Sequence, residues 1–417
     1  MKRKITGFGA LFLAVSSFAA TPIVRPESVV LKQDPLQKTV TVSYVLDEAP
    51  GIVTVDFLTN GVSIGVANFT GVRGDVNRLV ETGAHTILWT PYEDVWGSLT
   101  EEKMAMTARV KAWSPYRPPD YLVLGLEERN DVRYFVSTNA LPGGLGHEDY
   151  RTKYLVMRKI PAAGATFRMG SRNGEVGSSS YRNRETPHLV TFTNDFFMAV
   201  FQTTQGQYSW FAGNPSRFSG YADSPLRPAE MMSYNSLRGE GWPEGGHAVA
   251  EGSFLSLVRN RTGMEVDLPT DAQWEFACRA GCPLALYCNR NLTNETADAS
   301  LDRIAWYGHN SSGATHPVGL KEPNAWGLYD MYGNVWDWCL DWMGLSLGPA
   351  MSDAPVVEPV GYTTAGKPKG EVQRCRRGGT YNHAAKILRS AWRGSDLPTA
   401  SYENTGFRMI CPVGGTW

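Results

Sequence analysis

The sequence predicts two domains, an all-β sandwich followed by a loop-rich α+β domain. Up to about residue 113, apolar and polar residues alternate with the period of two that β-strands show. The later residues are rich in Trp, Gly and Asn and contain few, short helical patterns. The chain has 417 residues, more than one hydrophobic core usually supports. We therefore expect a sandwich over residues 21–113, a connecting segment over 114–150 and a second domain over 151–417.

The composition is that of a globular chain with balanced charge. Hydrophobic residues make up 42% and aromatic residues 11% of the sequence, which excludes a disordered class. The 40 basic and 41 acidic residues leave a formal net charge of −1. Because nucleic acids are bound mainly through positive charge, we expect no nucleic-acid partner.

The first 20 residues have the composition of a secretory signal peptide. Three basic residues, Lys2 to Lys4, precede an apolar run from Ile5 to Val15 and small residues that end at Ala20. The alternatives are an uncleaved anchor or a core segment, but the run is short for a membrane span. We expect residues 1–20 to be cleaved, the mature protein to have no membrane span, and the protein to be exported to the periplasm, the cell surface or the medium.

An even set of six cysteines could pair in an oxidising compartment, and several connectivities are open. The cysteines are Cys278, Cys282, Cys288, Cys339, Cys375 and Cys411. We expect Cys282 and Cys288 to close a local loop by a disulfide, and Cys375 and Cys411 to link two strands. Zinc is a poor alternative because no two of the cysteines form a C-x-x-C pair.

Four segments of the first region have strand patterns bounded by turn residues. They are KTVTVSYVL (Lys38–Leu46), GIVTVDFLTNGVSIGVANF (Gly51–Phe69), HTILWTP (His85–Pro91) and MAMTARVKAW (Met104–Trp113). The second contains Asn60-Gly61, a dipeptide typical of two-residue hairpin turns. Short strands at this spacing predict an immunoglobulin-like sandwich. Since this region has no clustered His, Cys or carboxylate residues, we interpret it as an accessory or presentation module.

Two helices of the second domain begin at capping boxes. In LPTDAQWEFACRAG, Thr270 caps the helix, Gln273 reaches back to it, and Gly281 supplies the left-handed end. Thr204 and Gln207 form the same box in TTQGQYSWFAGNPS. The segment SFLSLVRNRTG predicts a third helix from the spacing of its apolar residues.

Five segments of the second domain contain motifs that follow one another in a definite order along the chain. They are FRMGS (Phe167–Ser171) with ETPHLVTF (Glu185–Phe192); TTQGQY with NPSRF (Asn214–Phe218); LPTDAQWEFACRAG; HPVGLKEPNAWGLYDMYGNVWDWCLDW (His316–Trp342); and RRGGTY (Arg376–Tyr381) with TGFR (Thr405–Arg408). Together they resemble the formylglycine-generating enzyme (sulfatase-modifying factor) domain family. The resemblance covers about Lys153 to Pro412 and implies a loop-rich α+β variant of the C-type lectin fold.

The sequence departs from the oxidase pattern of that family. Its copper-dependent members carry a reactive cysteine pair soon after the segment that matches RRGGTY, but here no cysteine lies between Cys375 and Cys411. Cu(I) requires soft thiolate ligands, and His383 alone does not replace two of them. The related iron-dependent sulfoxide synthases carry an H-x3-H-x-E ligand set, which none of the seven histidines matches. We expect neither copper nor iron, and no formylglycine-generating oxidase activity.

The segment GLYDMYGNVWDWCLDW combines carboxylates with glycines. Asp330 and Asp337 flank Gly333, a spacing that lets two carboxylates converge in a loop while backbone carbonyls point inward, as hard cations require. The resemblance implies a calcium ion held by the side chains of Asp330 and Asp337 and by the carbonyl oxygens of Gly333 and Val335. The alternative is that both aspartates cap turns beside a core of tryptophans.

The resemblance also implies that residues 380–405 line a ligand groove. Five of these residues offer aromatic surfaces and charges suited to recognition: His383, Trp392, Arg393, Asp396 and Tyr402. For Arg389 and Arg393, the alternative is a buried ion pair that holds the loops together.

The sequence is compatible with functions from two classes. The first is an exported protein without catalytic residues that binds a protein, peptide or glycan in the groove. The second is an oxidoreductase of the same family with a non-standard active site. A groove diversified for recognition, as in lectin-like variable proteins of this fold, is a third hypothesis. Stoichiometric redox metal would favour the enzyme, whereas calcium alone would favour the binding protein.

Overall fold

The computed structural model describes residues 20–65, 71–91, 106–172, 174–178, 184–212, 224–343, 354–359 and 372–415. The predicted signal peptide, except for Ala20, and the NPSRF motif (Asn214–Phe218) lie outside the described residues. Within these ranges, no helix combines the length and the apolar character needed to cross a membrane.

The first region consists of two antiparallel sheets. One has the strand order β1-β3-β8-β6, with β2 also paired to β3, and in the other β4 pairs with β5, β7 and β9. The strands are β1 (Ile23–Val24), β2 (Val30–Asp34), β3 (Thr39–Asp47), β4 (Gly51–Thr59), β5 (Val62–Ser63), β6 (Val72–Gly74), β7 (Leu79–Val80), β8 (Gly83–Trp89) and β9 (Met106–Trp113).

The two sheets of the first region enclose one hydrophobic core. Alternate residues of β3 are buried, as its period-two pattern predicts. Phe57 of β4 stacks on Trp89 of β8, with ring centroids 4.5 Å apart. Asn60 and Gly61 both have positive φ and connect β4 to β5. The predicted hairpin is therefore confirmed. β4 and β9 fall within the predicted strand segments, whereas β3 extends one residue past its segment and β8 begins two residues before its own.

The described residues of the second domain form four further sheets of short strands. Their orders are β11-β10-β12-β15-β23, β13-β14-β19, β16-β17 and β21-β20-β18-β22. The strands are β10 (Tyr121–Gly125), β11 (Val132–Phe135), β12 (Tyr154–Ile160), β13 (Thr166–Met169), β14 (His188–Thr191), β15 (Phe196–Ala199), β16 (Ala305–Trp306), β17 (Tyr332–Gly333), β18 (Trp336–Trp342), β19 (Val356–Val357), β20 (Arg374–Arg377), β21 (Gly394–Asp396), β22 (Thr405–Gly406) and β23 (Ile410–Pro412).

The connecting segment predicted over residues 114–150 contains two strands of the second domain. β10 lies between β11 and β12 in the five-stranded sheet, and all five residues of β10 are buried. The apolar run Tyr121–Leu124 is a pattern typical of a strand covered on both faces, which a search for alternation misses. Part of the predicted connecting segment therefore belongs to the same sheet as β12.

Short helices pack between these sheets: α1 (Gln205–Ala212), α2 (Tyr234–Leu237), α3 (Phe254–Thr262), α4 (Asp271–Arg279) and α5 (Ala299–Ile304). The capping box of Thr270 and Gln273 is present, and the box of Thr204 and Gln207 has hydrogen bonds of 3.1 and 3.0 Å. All three predicted helices are therefore confirmed. α4 ends at Arg279, and its C-cap Ala280 has positive φ, one residue before the expected glycine.

The two expected disulfides are not formed, and all six cysteines are free thiols. The loop that holds Cys282 and Cys288 is closed by hydrogen bonds instead, including one of 3.2 Å from the Cys282 thiol to the Leu286 carbonyl. Cys375 and Cys411 belong to two different hydrophobic core clusters. Hydrogen bonding and burial therefore hold these positions without a covalent link.

Candidate functional site

The candidate site lies at one end of the four-stranded sheet that contains β18 and β20. Successive side chains of a strand point to opposite faces. In β20, Arg376 therefore points to the opposite face from Arg377, which pairs with Asp271 and Glu275 of α4. In β18 the same alternation places Trp336 and Trp338 beside Arg376, with both rings about equally distant from its guanidinium, at 5.4 and 5.5 Å.

A groove of about 360 Å³ opens at this end of the sheet, and we call it the His383 groove. It is lined by Trp336, Arg376, His383, Asp396, Tyr402, Glu403 and Asn404. Three of the five residues expected to bind a ligand, namely His383, Asp396 and Tyr402, are thus brought together. They come from the loop after β20, from β21 and from the loop before β22.

Arg376 is the fixed cation of the His383 groove. It forms an ion pair of 2.9 Å with Asp396, and its Nη1 donates a hydrogen bond of 2.9 Å to Thr405 Oγ1. Burial lowers the pKa of Arg376 below its ordinary value. The guanidinium is therefore held in one position between two indoles, as a preorganised binding group requires.

His383 supplies a neutral imidazole. Its Nδ1 lies 2.8 Å from Thr380 Oγ1, and its ring meets Trp336 edge-on with centroids 5.1 Å apart. Burial and then the charge of Arg376 lower the pKa of His383 to about 4. The ring is therefore uncharged near neutral pH and can hydrogen-bond to a ligand as a neutral group.

The remaining wall of the His383 groove is acidic and aromatic. The Tyr381 hydroxyl donates a hydrogen bond of 3.1 Å to Glu403 Oε1. Tyr402 is 49% exposed, so its ring is available as a contact surface. Arg376 is balanced by Asp396, and the neutral Tyr381 leaves the charge of Glu403 in place. The described lining side chains therefore sum to one negative charge.

Trp392 and Arg393, also expected to bind a ligand, do not line the His383 groove. Trp392 is buried, and Arg393 pairs with the buried Asp271 at 2.7 Å. Arg389 is likewise buried, and its Nη1 and Nη2 each donate to Glu185 at 2.8 Å. The alternative of buried ion pairs for the two arginines is confirmed, and these pairs anchor the segment that carries the groove residues.

The carboxylates of Asp271 and Asp341 are buried side by side where α4 meets β18. Asp271 and Asp341 are both inaccessible, and the Asp271 backbone N–H donates to Asp341 Oδ2 at 2.5 Å. Against the effect of burial, the charges of Arg377 and Arg393 hold the pKa of Asp271 below its ordinary value. Burial and the charge of Asp271 raise the pKa of Asp341 to about 7. This pair therefore carries one full negative charge and one partly protonated carboxyl.

The expected calcium ligands lie in one buried loop that ends in β18. Gly333 has a φ of 75°, and a Cβ there would meet the Trp306 carbonyl oxygen at 2.0 Å, so only glycine fits. Gln202 Nε2 donates to the Val335 carbonyl oxygen at 2.7 Å and to Asp337 Oδ1 at 3.3 Å. Gln202 thus belongs to this cluster, although its position in the sequence gives no sign of it.

The two aspartates of the loop differ in the number of hydrogen bonds that their carboxylate oxygens accept. Asp337 Oδ2 accepts hydrogen bonds from Arg408 Nε at 2.6 Å and from Trp274 Nε1 at 2.9 Å. Asp330 Oδ2 accepts one from the Gly319 N–H at 2.7 Å. Among the described residues, Asp330 Oδ1 and Gln202 Oε1 have no hydrogen-bond donor although both are buried. Burial raises the pKa of Asp330 to about 6, although the Gly319 N–H acts in the opposite direction.

These oxygens fit a hard cation. Buried oxygens that lack donors are the ligand type that calcium requires. Half a turn of the Gln202 amide would bring its Oε1 to the point now held by Nε2, beside the Val335 and Asp337 oxygens. The charge of Asp337 is already balanced by Arg408, so Asp330 would supply the one unbalanced carboxylate. We therefore expect weaker binding than two free carboxylates would give.

Sequence reasoning missed several residues of the His383 groove. The sequence motifs contain Trp336 and Arg376 but do not indicate a binding role for either, yet both line the groove. The alternation in WDWCLDW shows that Trp336 and Trp338 share one face of β18. It does not show which face lies under a groove, because that depends on the neighbouring strands.

Comparison with known proteins identifies the class of this domain. Residues 151–412 match the model of the sulfatase-modifying factor enzyme 1-like domain family. The chain belongs to this family, as its motifs predicted. The formylglycine-generating enzyme of Thermomonospora curvata is 28% identical over 286 residues, which cover 60% of this chain and 91% of that protein. The formylglycine-generating enzyme of Mus musculus is 24% identical over 289 residues, which cover 60% of this chain and 74% of that protein.

Two solved structures align with part of this chain. Treponema denticola variable protein 1 aligns with a TM-score of 0.46 and 24% identity, over 62% of this chain and 95% of that chain. PvdO from Pseudomonas aeruginosa aligns with a TM-score of 0.47 and 24% identity, over 62% of this chain and 94% of that chain.

Proposed function

We propose that this member of the family is a binding protein, and that the His383 groove holds a peptide segment with a basic side chain. The observation that carries the proposal is the convergence of a fixed cation, a neutral imidazole, an exposed tyrosine and two carboxylates. The surplus negative charge of Glu403 would favour Lys or Arg in the ligand. Tyr402 and Trp336 would contact the rest of the segment.

The burial and protonation of the cysteine thiols support a binding function rather than copper oxidase chemistry. A thiolate is the form that binds copper and reacts. Burial raises the pKa of Cys278 and of Cys375 to about 12 in each case. Cys339 and Cys411 are also fully buried with raised pKa values, and Cys282 and Cys288 do not line the groove. The described groove thus brings imidazole, phenol and carboxylate groups to a ligand.

Selection from a random peptide display library tests the proposed ligand. We expect enrichment of peptides that contain Lys or Arg, with a fall in affinity of about tenfold in Glu403→Gln, because one charge-assisted contact is lost. The matched control is Glu322→Gln, which removes an exposed carboxylate of the same domain. Failure to enrich any peptide, or equal affinities for wild type and Glu403→Gln, would exclude this function.

We also propose that a calcium ion stiffens the loop of Asp330, Gly333, Val335 and Asp337. Support comes from the two buried oxygens without donors. Bound calcium at about 100 times its Kd would stabilise the fold by roughly 2.7 kcal/mol. For a domain of this size, that corresponds to a rise in Tm of about 5–10 °C.

Calorimetry with and without a chelator tests the calcium proposal. Asp330→Asn should abolish the calcium-dependent rise in Tm, whereas Asp302→Asn, which changes an aspartate outside this loop, should keep it. A wild-type Tm that does not respond to calcium or chelator would refute the proposal.

We further propose that the protein is exported and that the first region is an immunoglobulin-like module that presents the second domain. The apolar N-terminal segment and the two packed antiparallel sheets support this arrangement. The mass of the protein secreted by its native host should correspond to a chain that begins at Thr21. Retention of residues 1–20 would contradict the proposed cleavage.

A further inference from the structure

A second cavity lies between the first region and the second domain. It has a volume of about 570 Å³, larger than the His383 groove and within the usual range of ligand sites. One wall is the outer face of β4 and β9 together with β6, and the other is formed by β11 and the turn before it. The Tyr134 N–H donates to the Asn77 carbonyl oxygen at 2.6 Å and joins the two walls. We call this cavity the interdomain cleft.

The interdomain cleft is rich in basic side chains. Five line it, namely Arg73, Arg78, Arg109, Lys111 and Arg133. Among the described lining residues, two are acidic, Asp56 and Asp131. With Asp75, which pairs with Arg78 at 2.6 Å, three carboxylates face five cations. The described side chains of the cleft therefore carry a surplus of two positive charges in a protein whose total charge is −1.

The cations differ in how much of their charge is already balanced. Arg133 donates two hydrogen bonds of 2.7 Å to Asp131 and is well paired. Arg109 lies 4.0 Å from Asp56 and is 69% exposed, so this pair is weak. Within the described ranges, Arg73 and Lys111 form no ion pair. The unbalanced charge is thus concentrated on the wall that belongs to the first region.

The spacing of these cations along β9 is regular. Arg109, Lys111 and Trp113 are alternate residues of the strand and share its outer face. Side chains two residues apart on a strand are separated by about 6.8 Å. Trp113 Nε1 donates to Thr54 Oγ1 at 2.9 Å, and Lys111 Nζ lies 3.4 Å from the centre of the Trp113 ring. The tryptophan is therefore fixed, and it holds the lysine over its face.

We propose that the interdomain cleft binds an acidic peptide in an extended conformation. Alternate carboxylates of an extended peptide have the same spacing of about 6.8 Å as Arg109 and Lys111. They would reach both cations at once, and Arg73 on β6 would meet a third acidic group. The ligand differs in charge from the one proposed for the His383 groove, so the two sites would take different segments. This site does not depend on the function of the groove.

Fluorescence anisotropy on the full chain tests the proposal with two labelled peptides of equal composition. One has Glu at every second position, and the other has the same number of Glu residues in one block. We expect the alternating peptide to bind about fivefold more tightly, because two ion pairs form without bending the peptide. Equal affinity for the two peptides would overturn the extended binding mode.

Substitutions locate the site. The double variant Arg109→Gln/Lys111→Gln should lower the affinity for the alternating peptide about tenfold. Both side chains are on the solvent face of β9, and an unchanged Tm would show that the fold is kept. Lys32→Gln removes an exposed cation from the opposite sheet and should leave the affinity unchanged.

Three outcomes would contradict the assignment to the cleft. They are an affinity unaffected by the double variant, an equal loss in Lys32→Gln, and tight binding of a polyuronate glycan without binding of the peptide. Glu403→Gln should bind the acidic peptide as wild type does. A negative result in the peptide-display test of the His383 groove would therefore not change the interpretation of acidic-peptide binding in the cleft.

Discussion

Removing Arg389 should unfold the second domain at a much lower temperature, because this side chain neutralises a buried carboxylate. Arg389 and Glu185 are both inaccessible and joined by two hydrogen bonds of 2.8 Å. Arg389→Met keeps much of the side-chain volume but leaves Glu185 buried without its cation. Breaking a buried pair in this way typically lowers the free energy of unfolding by roughly 3–5 kcal/mol. For a domain of this size, the Tm should fall by about 10 °C.

The protein contains a matched control for this change. Arg303 and Glu322 form an equally well-aligned pair, with distances of 3.1 and 2.7 Å, but both side chains are more than half exposed. Arg303→Met should leave the Tm unchanged within error, since exposed pairs contribute little. Differential scanning calorimetry of both variants measures the contrast. Similar Tm values for the two variants would refute the argument that buried ion pairs anchor the loops.

Other predictions concern protonation and thiols. NMR titration of His383 should give a midpoint near pH 4, because burial and Arg376 oppose its charged form; a midpoint near 6.5 would contradict this. Since the folded state holds the Asp341 proton up to about pH 7, stability from this group should fall as pH rises from about 4 to about 7. Asp341→Asn should remove that fall, and equal pH slopes of Tm in both proteins would disprove it. Six thiols should react with a thiol reagent in the denatured, unreduced protein, and four would indicate a disulfide.

Local signals in the sequence were enough to predict the long strands of the first region and three helices of the second domain. The capping box at Thr270 and Gln273 and the Asn60-Gly61 turn depend on neighbouring residues only, and both are present. The family motifs likewise located the second domain. β10 was missed because its apolar run lacks the alternation of a half-buried strand.

The site was harder to predict because its geometry depends on contacts between distant segments. His383, Asp396 and Tyr402 meet in the groove, but Arg393 turns inward because Asp271 of α4 lies beneath it. Gln202 lies three residues after β15 and donates a hydrogen bond to Asp337 of β18. No spacing in the sequence reveals this contact. The sequence shows which side chains are charged, but it does not show which residue forms an ion pair or hydrogen bond with each of them.

The most direct test of the account is an oxidase assay on the purified protein. A peptide with a sulfatase-type cysteine segment would be incubated with Cu(I) and oxygen, and aldehyde would be measured by mass spectrometry. The formylglycine-generating enzyme of Thermomonospora curvata serves as the positive control. A binding protein whose groove has no thiolate should leave the peptide cysteine intact. Formation of the aldehyde at a rate comparable to the control would contradict the account.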